Sequence, residues 1–424
     1  MSIEILNGHF LNESGAWKAF KRIEIHNDLI AHIDPSSAKT CQHSIDATGL
    51  YLSPSLTDLN VALCEPGYAA KGSIYTETHA AAAAGVTTVC CTPETDPVND
   101  SEAVCSFIER AIQQAGTIEV LPLGALTQGL EGERLAEYAE LKKAGCVALS
   151  SGMTPFKNLS TAKRCFDYAK TFDMSVFIHP MEPSLYEGSA HSGRISTKTG
   201  LKGISHLAES IATAQLIMLA RESGVHLHLA QLSCKESVAL VKRAKDEGAN
   251  ITADVAVANL LYTHEKIVSY NSLYHCLPPL RSETDRLALI EGLRNGVIDA
   301  ITSAHRPHEA AAKKAPFAQT APGMSTIEHL IPAARQLQAQ GELALNDFLK
   351  AMTQGPAKVL NRKATSIVEG NAANLCLFNP DQTYKVSAHT MLSEGKNSPL
   401  LGQEIKGKVV STIYKGRLVY QTRD

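Results

Sequence analysis

The chain has 424 residues, with 40 Lys and Arg against 43 Asp and Glu, a formal charge of −3. That near-balance supplies no basic face to neutralise phosphates, which excludes a nucleic-acid binder, and no run approaches the roughly 18 apolar residues of a membrane span. With 44% hydrophobic and 20% charged residues it reads as an ordinary soluble protein with a large core, long enough for two or three domains, or for one α/β barrel with additions.

The opening Met1–Asn7 carries an early acid and no apolar segment, so no secretory signal is expected. The ten cysteines are scattered without a CxxC pair, which predicts reduced thiols and a cytoplasmic location. Arg22–His26 and Leu29–Ile33 read as two strands around the Asn27-Asp28 turn. From there the pattern changes to alternating strand and helix. Apolar strand-like runs fall at Leu56–Leu63, Val86–Cys91, Glu119–Leu126, Val147–Ser150, Ser175–His179, His226–Leu232, Ile251–Val255 and Val297–Thr302. Helical stretches lie between them at Ser73–Ala84, Ser101–Ala115, Leu207–Glu222, Lys235–Glu247 and Glu283–Asn295. The Ala80–Ala84 run is expected to be a helix face packed close to the barrel. The connection around Asn259–Pro279 is too long for a plain turn and is expected to shape the mouth of a site. The chain then returns to strands at Asn374–Phe378, Gly407–Tyr414 and Arg417–Tyr420, the last two around Lys415-Gly416.

Strands at both ends with an α/β middle predict one small domain built from both termini. The expected fold class is α/β: a (β/α)8 TIM-type barrel over 53–365, with a small β-sandwich formed by 1–52 and 366–424.

Several segments resemble the dihydroorotases of the amidohydrolase superfamily. They are Pro54–Gly67, Gly85–Val89 with Thr92–Pro97, His305–His308, Ala321–Gly323 with Glu328, Pro356–Leu360, Ala372–Phe378 and Lys396–Leu400, in order along nearly the whole chain. The resemblance implies a metal barrel that closes or opens the dihydroorotate ring in pyrimidine synthesis.

The residues that carry that chemistry in the family are mostly replaced. Its first-strand His-x-His falls on Asn60 and Ala62, and its strand-four bridging carboxyl group on Ser150 or Ser151. The strand-five histidine remains as His179. The strand-six histidine is Gln231, with the earlier His228 kept, and the strand-eight aspartate is Ala304. A catalytic zinc needs about three His, Asp, Glu or Cys ligands and an open position for water; alanine has no donor atom and neutral amides are poor zinc ligands. Zinc is therefore expected to be absent. Without it nothing lowers the pKa of the attacking water, and Ala304 removes the general base. On the substrate side, the family's carboxylate-binding arginine and asparagine become Cys64 and Glu94, and a further asparagine becomes Leu277. An anion then stands where an anionic substrate should bind.

Plainer readings stand beside the sharper ones. His179 reads as a hydrogen-bonded pocket residue as well as a remnant ligand. His226 and His228 share one strand face, with Asp254 the one acid placed beside them, so a new metal pair there is the minor reading. Cys64, His305 and His308 are expected at one end of the barrel as pocket remnants, where a Cys–His nucleophile is conceivable, although Cys64 has no evident activator. Arg306 occupies a usually small position, where it can plug the mouth or pair with Glu94. Asp58, Glu65, Pro66, Gly67 and Asp299 read as structural.

The leading functional expectation is a pseudoenzyme. The chain resembles the non-catalytic dihydroorotase homologue of certain bacterial aspartate carbamoyltransferase complexes, and that resemblance implies an assembly subunit for the carbamoyltransferase chain. A homodimer is also expected. The alternative is an active amidohydrolase on cyclic amides with a rearranged or metal-free site. A third, weaker reading is a small-molecule sensor that uses the old pocket.

Overall fold

The computed structural model describes residues 2–37 and 41–422. Eight parallel strands, hydrogen-bonded in chain order, form the barrel: Leu56–Val61, Val86–Cys91, Glu119–Ala125, Ala148–Ser150, Val176–Ile178, Leu227–Leu229, Ile251–Ala256 and Ala300–Thr302. Helices cover the outside of the parallel sheet, so its strands are apolar on both faces; every residue of Ile251–Ala256 is buried. The ring is completed between the first and last strands by the parallel bridge of Val61 with His305. Asp58 secures this seam. Its carboxylate accepts the backbone N–H of Ser303 (3.1 and 3.2 Å to the two oxygens) and the hydroxyl of Thr302. All eight strands expected from sequence are present, each within a few residues of its expected span.

The termini build a second sheet. Ser2–Leu11 pairs antiparallel with Trp17–His26 and parallel with His43–Asp46 and Tyr51–Pro54. Tyr51–Pro54 then joins the two ends of the chain by pairing antiparallel with Leu375–Lys385, which continues to Glu404–Tyr414 and Arg417–Gln421. Ile5 and Ile23 from the first half and Leu377 and Ile413 from the second share one core cluster. The two layers expected of a sandwich are thus halves of one continuous hydrogen-bonded sheet.

Helix Ile74–Ala83 explains the alanine run. It lies between barrel strand Val86–Cys91 and the terminal strands Glu404–Tyr414 and Arg417–Gln421, with Ala80, Ala81 and Ala82 fully buried. Thr412 donates its hydroxyl to the Ala82 carbonyl at 2.6 Å. A side chain on Gly85, just after the helix, would meet Cys376 Sγ at 2.2 Å, and its φ of +79° disfavours other residues. Small residues are required because two elements approach the helix at once. The long connection after strand seven is not a bare loop: it folds into short helical turns at Val257–Leu261, His264–Ser269 and Ser272–Tyr274. These pack with Ala190, Ile195, Phe317 and Met324 over the carboxyl ends of the strands. No helix among the described residues is long and apolar enough to cross a membrane.

Candidate functional site

In parallel barrels the loops at the strands' carboxyl ends form the site, and the sequence candidates lie there. Three of them, Cys64, Gln231 and Ala304, keep a left-handed backbone at strand ends (φ 62, 56 and 51°). Non-glycine residues in that region cost free energy and cluster where side chains must be aimed into a site. The backbone retains a ligand-presenting shape; the side chains do not use it. Ala62 and Ala304 carry no polar side-chain atom. Gln231 is fully buried, and among the described residues neither of its amide atoms, nor Asn60 Oδ1, has a hydrogen-bond partner. Ser150 Oγ accepts the Gly152 N–H (3.0 Å), and Ser151 is buried beside it.

His179 is saturated. Its Nδ1–H donates to the Ala230 carbonyl (3.1 Å), which leaves Nε2 as an acceptor, and Nε2 takes the hydroxyl of Tyr186 at 2.8 Å. Burial pushes the His179 pKa down, so the ring is neutral and both nitrogens are occupied. His228 is likewise committed, to Thr252 Oγ1 and Asp254 Oδ2 at 2.9 Å each. His226 contacts Ser175 Oγ (2.8 Å) and Thr252 Oγ1 (2.9 Å). No group of three or more His, Cys, Asp or Glu with metal-binding geometry occurs among the described residues.

Glu94 and Arg306 form a clasp across the mouth. Arg306 Nη2 donates to Glu94 Oε2 at 2.6 Å, and Glu94 Oε1 accepts the Met153 N–H at 3.1 Å. One carboxylate therefore ties together the loops after strands two, four and eight. Gly152 makes room for it, since a Cβ there would stand 2.7 Å from Glu94. The pairing that the sequence allowed is made, and its effect is to partition the mouth. Arg306 stands in the wall of two separate cavities. One, of about 190 Å³, is lined by Ala62, Cys64, Glu94 and His308. The other, lined by Ala304 and Leu277, holds only about 20 Å³, room for about one water and not for a ring. His179 lines a third cavity of about 90 Å³ elsewhere. Small-ligand sites usually run to about 300–1,000 Å³, so the remnants are not gathered in one pocket of that size.

His305 corrects an expectation: it is not a pocket residue. It is fully buried, with Nε2–H donating to Glu77 Oε2 (2.7 Å) and Nδ1 accepting the Thr326 N–H (3.1 Å). Burial pushes Glu77 upward, but the His305 bond and charge outweigh it and hold the carboxyl below its usual range. This histidine locks helix Ile74–Ala83 to the barrel seam. His308 does line the larger cavity, with Nε2 on the Pro322 carbonyl (3.1 Å), Nδ1 unpartnered, and its pKa pushed down to about 4 by burial. The Cys64 thiol is pushed up to about 12, first by burial and then by the Glu77 charge. It is a thiol at neutral pH, and His305 cannot activate it.

Tyr186 and Met153 were not singled out from sequence. The only signal for Tyr186 was an aromatic residue in the loop after strand five, seven positions past His179.

The barrel with its terminal sheet is the fold of known hydantoinase structures. The fold overlays the L-hydantoinase (dihydropyrimidinase) of Arthrobacter aurescens with a TM-score of 0.88 at 20% identity, covering 99% of this chain and 96% of that one. A dihydro-orotase-like family model matches residues 49–237. A dihydroorotase-like protein of Pseudomonas aeruginosa is 42% identical over 90% of both chains. A dihydroorotase of Thermoanaerobacter is 38% identical over 99% of this chain and 98% of its own. The chain belongs to the dihydroorotase-like family.

Zinc, which the family implies, does not fit the donors present. Asn60 and Gln231 offer amides, Ala62 and Ala304 offer nothing, and the one imidazole at a family ligand position already accepts from Tyr186.

Proposed function

We propose that this chain is a catalytically silent dihydroorotase-like protein of pyrimidine biosynthesis, and that it serves as an assembly subunit for the aspartate carbamoyltransferase catalytic chain. It works without zinc, as a homodimer, in the cytoplasm. The observation that carries the catalytic half is the closed hydrogen-bond circuit of His179, which occupies the lone pair of the one imidazole at a family ligand position while the other ligand positions lack good donors. The clasp of Glu94 and Arg306 supports the same reading, because it fills with protein charges the space a charged substrate would need. Meanwhile the seam contacts of Asp58 and the joining of both termini preserve the scaffold. A chain that keeps the barrel scaffold while its mouth is tied shut suits an assembly role, and the carbamoyltransferase is the partner implied by the family resemblance.

The competing reading, an amidohydrolase with a metal-free thiol nucleophile, requires a thiolate at Cys64, and burial holds that group protonated.

The test is light-scattering chromatography of the purified chain with the same organism's aspartate carbamoyltransferase. A co-eluting complex that retains carbamoyltransferase activity is the expected result. Separate elution at micromolar concentrations of both proteins contradicts the assembly role.

A further inference from the structure

We propose that the cavity between the terminal sheet and the barrel is a second ligand site, shaped for a small flat anion: an aromatic ring bearing a carboxylate or a phosphate ester. The cavity holds about 550 Å³, within the range of about 300–1,000 Å³ typical of small-molecule sites. It shares no lining residue with the two cavities at the mouth or with the one beside His179. Its walls come from four parts of the chain: the end of helix Ile74–Ala83, helix Leu330–Ala339 with the turn before it, the terminal strands, and the connection that follows Lys385.

His329 is the residue that points to a ligand. It lines the cavity, is only 7% exposed, and neither ring nitrogen has a hydrogen-bond partner among the described residues. A buried polar atom left unpaired is costly, and native proteins leave few of them. Burial pushes this ring down to about 4, so at neutral pH it offers one N–H donor and one bare acceptor, which suits a ring heteroatom or an acid oxygen.

The charge of the lining favours an anion. Lys385 and Lys408 both contribute. The carboxylate in the wall, Glu328, is turned to the protein: its oxygens accept the Leu392 N–H (2.8 Å) and the Ser393 N–H (3.0 Å). Tyr384 and Tyr420 supply aromatic surface, and the Lys408 ammonium stands 6.0 Å from the Tyr384 ring centre. Cations next to aromatic faces suit a planar body with an acid at its edge.

The test is a fluorescence titration of the full chain with 8-anilinonaphthalene-1-sulfonate, an aromatic anion, repeated on Lys408→Gln and His329→Leu. One saturable site per chain is expected, weakened about tenfold or more in each variant. Lys408→Gln lies on a partly exposed strand position and keeps the test decisive if His329→Leu folds poorly. Competition with benzoate and with phenyl phosphate distinguishes the two sources of the acid: displacement by the first alone assigns carboxylates, and by the second alone phosphate esters. Non-saturating binding, parent-like affinity in Lys408→Gln, or failure of both competitors overturns the proposal.

Discussion

Tyr186 donates its hydroxyl to Nε2 of His179 at 2.8 Å, and this single bond occupies the lone pair through which the retained imidazole would bind a metal. Replacing Tyr186 with Phe frees that lone pair without supplying further ligands. The variant is expected to hold far less than one zinc per chain by elemental analysis, because a lone imidazole is not a zinc site. It is also expected to lose about 1–2 kcal/mol of stability, the cost of an unmade buried hydrogen bond. Near-stoichiometric zinc in Tyr186→Phe would reveal a donor set that this account denies.

The Glu94–Arg306 clasp is about one-fifth exposed at each side chain, so it is worth more than a surface pair but less than a buried one. Arg306→Ala is expected to cost about 1–2 kcal/mol, and Glu94→Gln in the same background to recover part of it. A urea-denaturation double-mutant cycle measures the coupling. A coupling energy near zero would mean that the clasp does not hold the loops together.

Acid should destabilise the fold through its buried and half-buried neutral histidines. His226, His275, His308 and His329 are each pushed down to about 4, with burial the largest cause, whereas an unfolded histidine titrates near about 6.5. Between those values the unfolded chain binds more protons. Stability is therefore full above pH ~6.5 and falls as pH drops toward 4, by up to about 1.4 kcal/mol per pH unit for each group. Urea midpoints at several pH values read this slope. In His226→Gln the slope should be shallower; an unchanged slope would remove that residue from the explanation.

Cys64 should behave as a buried thiol. Its alkylation by iodoacetamide in the native chain at pH 8 is expected to be at least about tenfold slower than that of an unfolded cysteine, because the thiolate is the reactive species. Fast, selective labelling of Cys64 would revive the nucleophile reading.

Much of the fold was legible because its signals are local. Each barrel strand is an apolar run covered on both faces, and the capped helices Ile74–Ala83 and Glu283–Arg294 begin at serines whose side chains close reciprocal hydrogen bonds with the third helical residue. The helices at Leu159–Thr171, which Asn158 caps, and Leu330–Ala339 were not among those named from sequence, although each is amphipathic. The site was legible only as a set of substitutions. That Ala62 and Ala304 lack donors can be read from residue type. That His179 is bonded to Tyr186, or that His305 turns away from the pocket to reach Glu77, depends on contacts between side chains of different elements. The 228 positions separating Glu77 from His305 carry no sequence pattern that declares the pair.

The proposed silence of the mouth toward the family's ring chemistry is open to direct test. The most direct measurement is dihydroorotate turnover, with bound zinc counted in the same fractions, for the parent chain and for Asn60→His with Ala62→His in the presence of added zinc. Both proteins are expected to show no turnover above background, because Gln231, Ala304, Cys64 and Glu94 still lack the ligand, the base and the substrate cation. Zinc-dependent turnover by the parent chain, or its appearance after those two changes alone, would contradict the account.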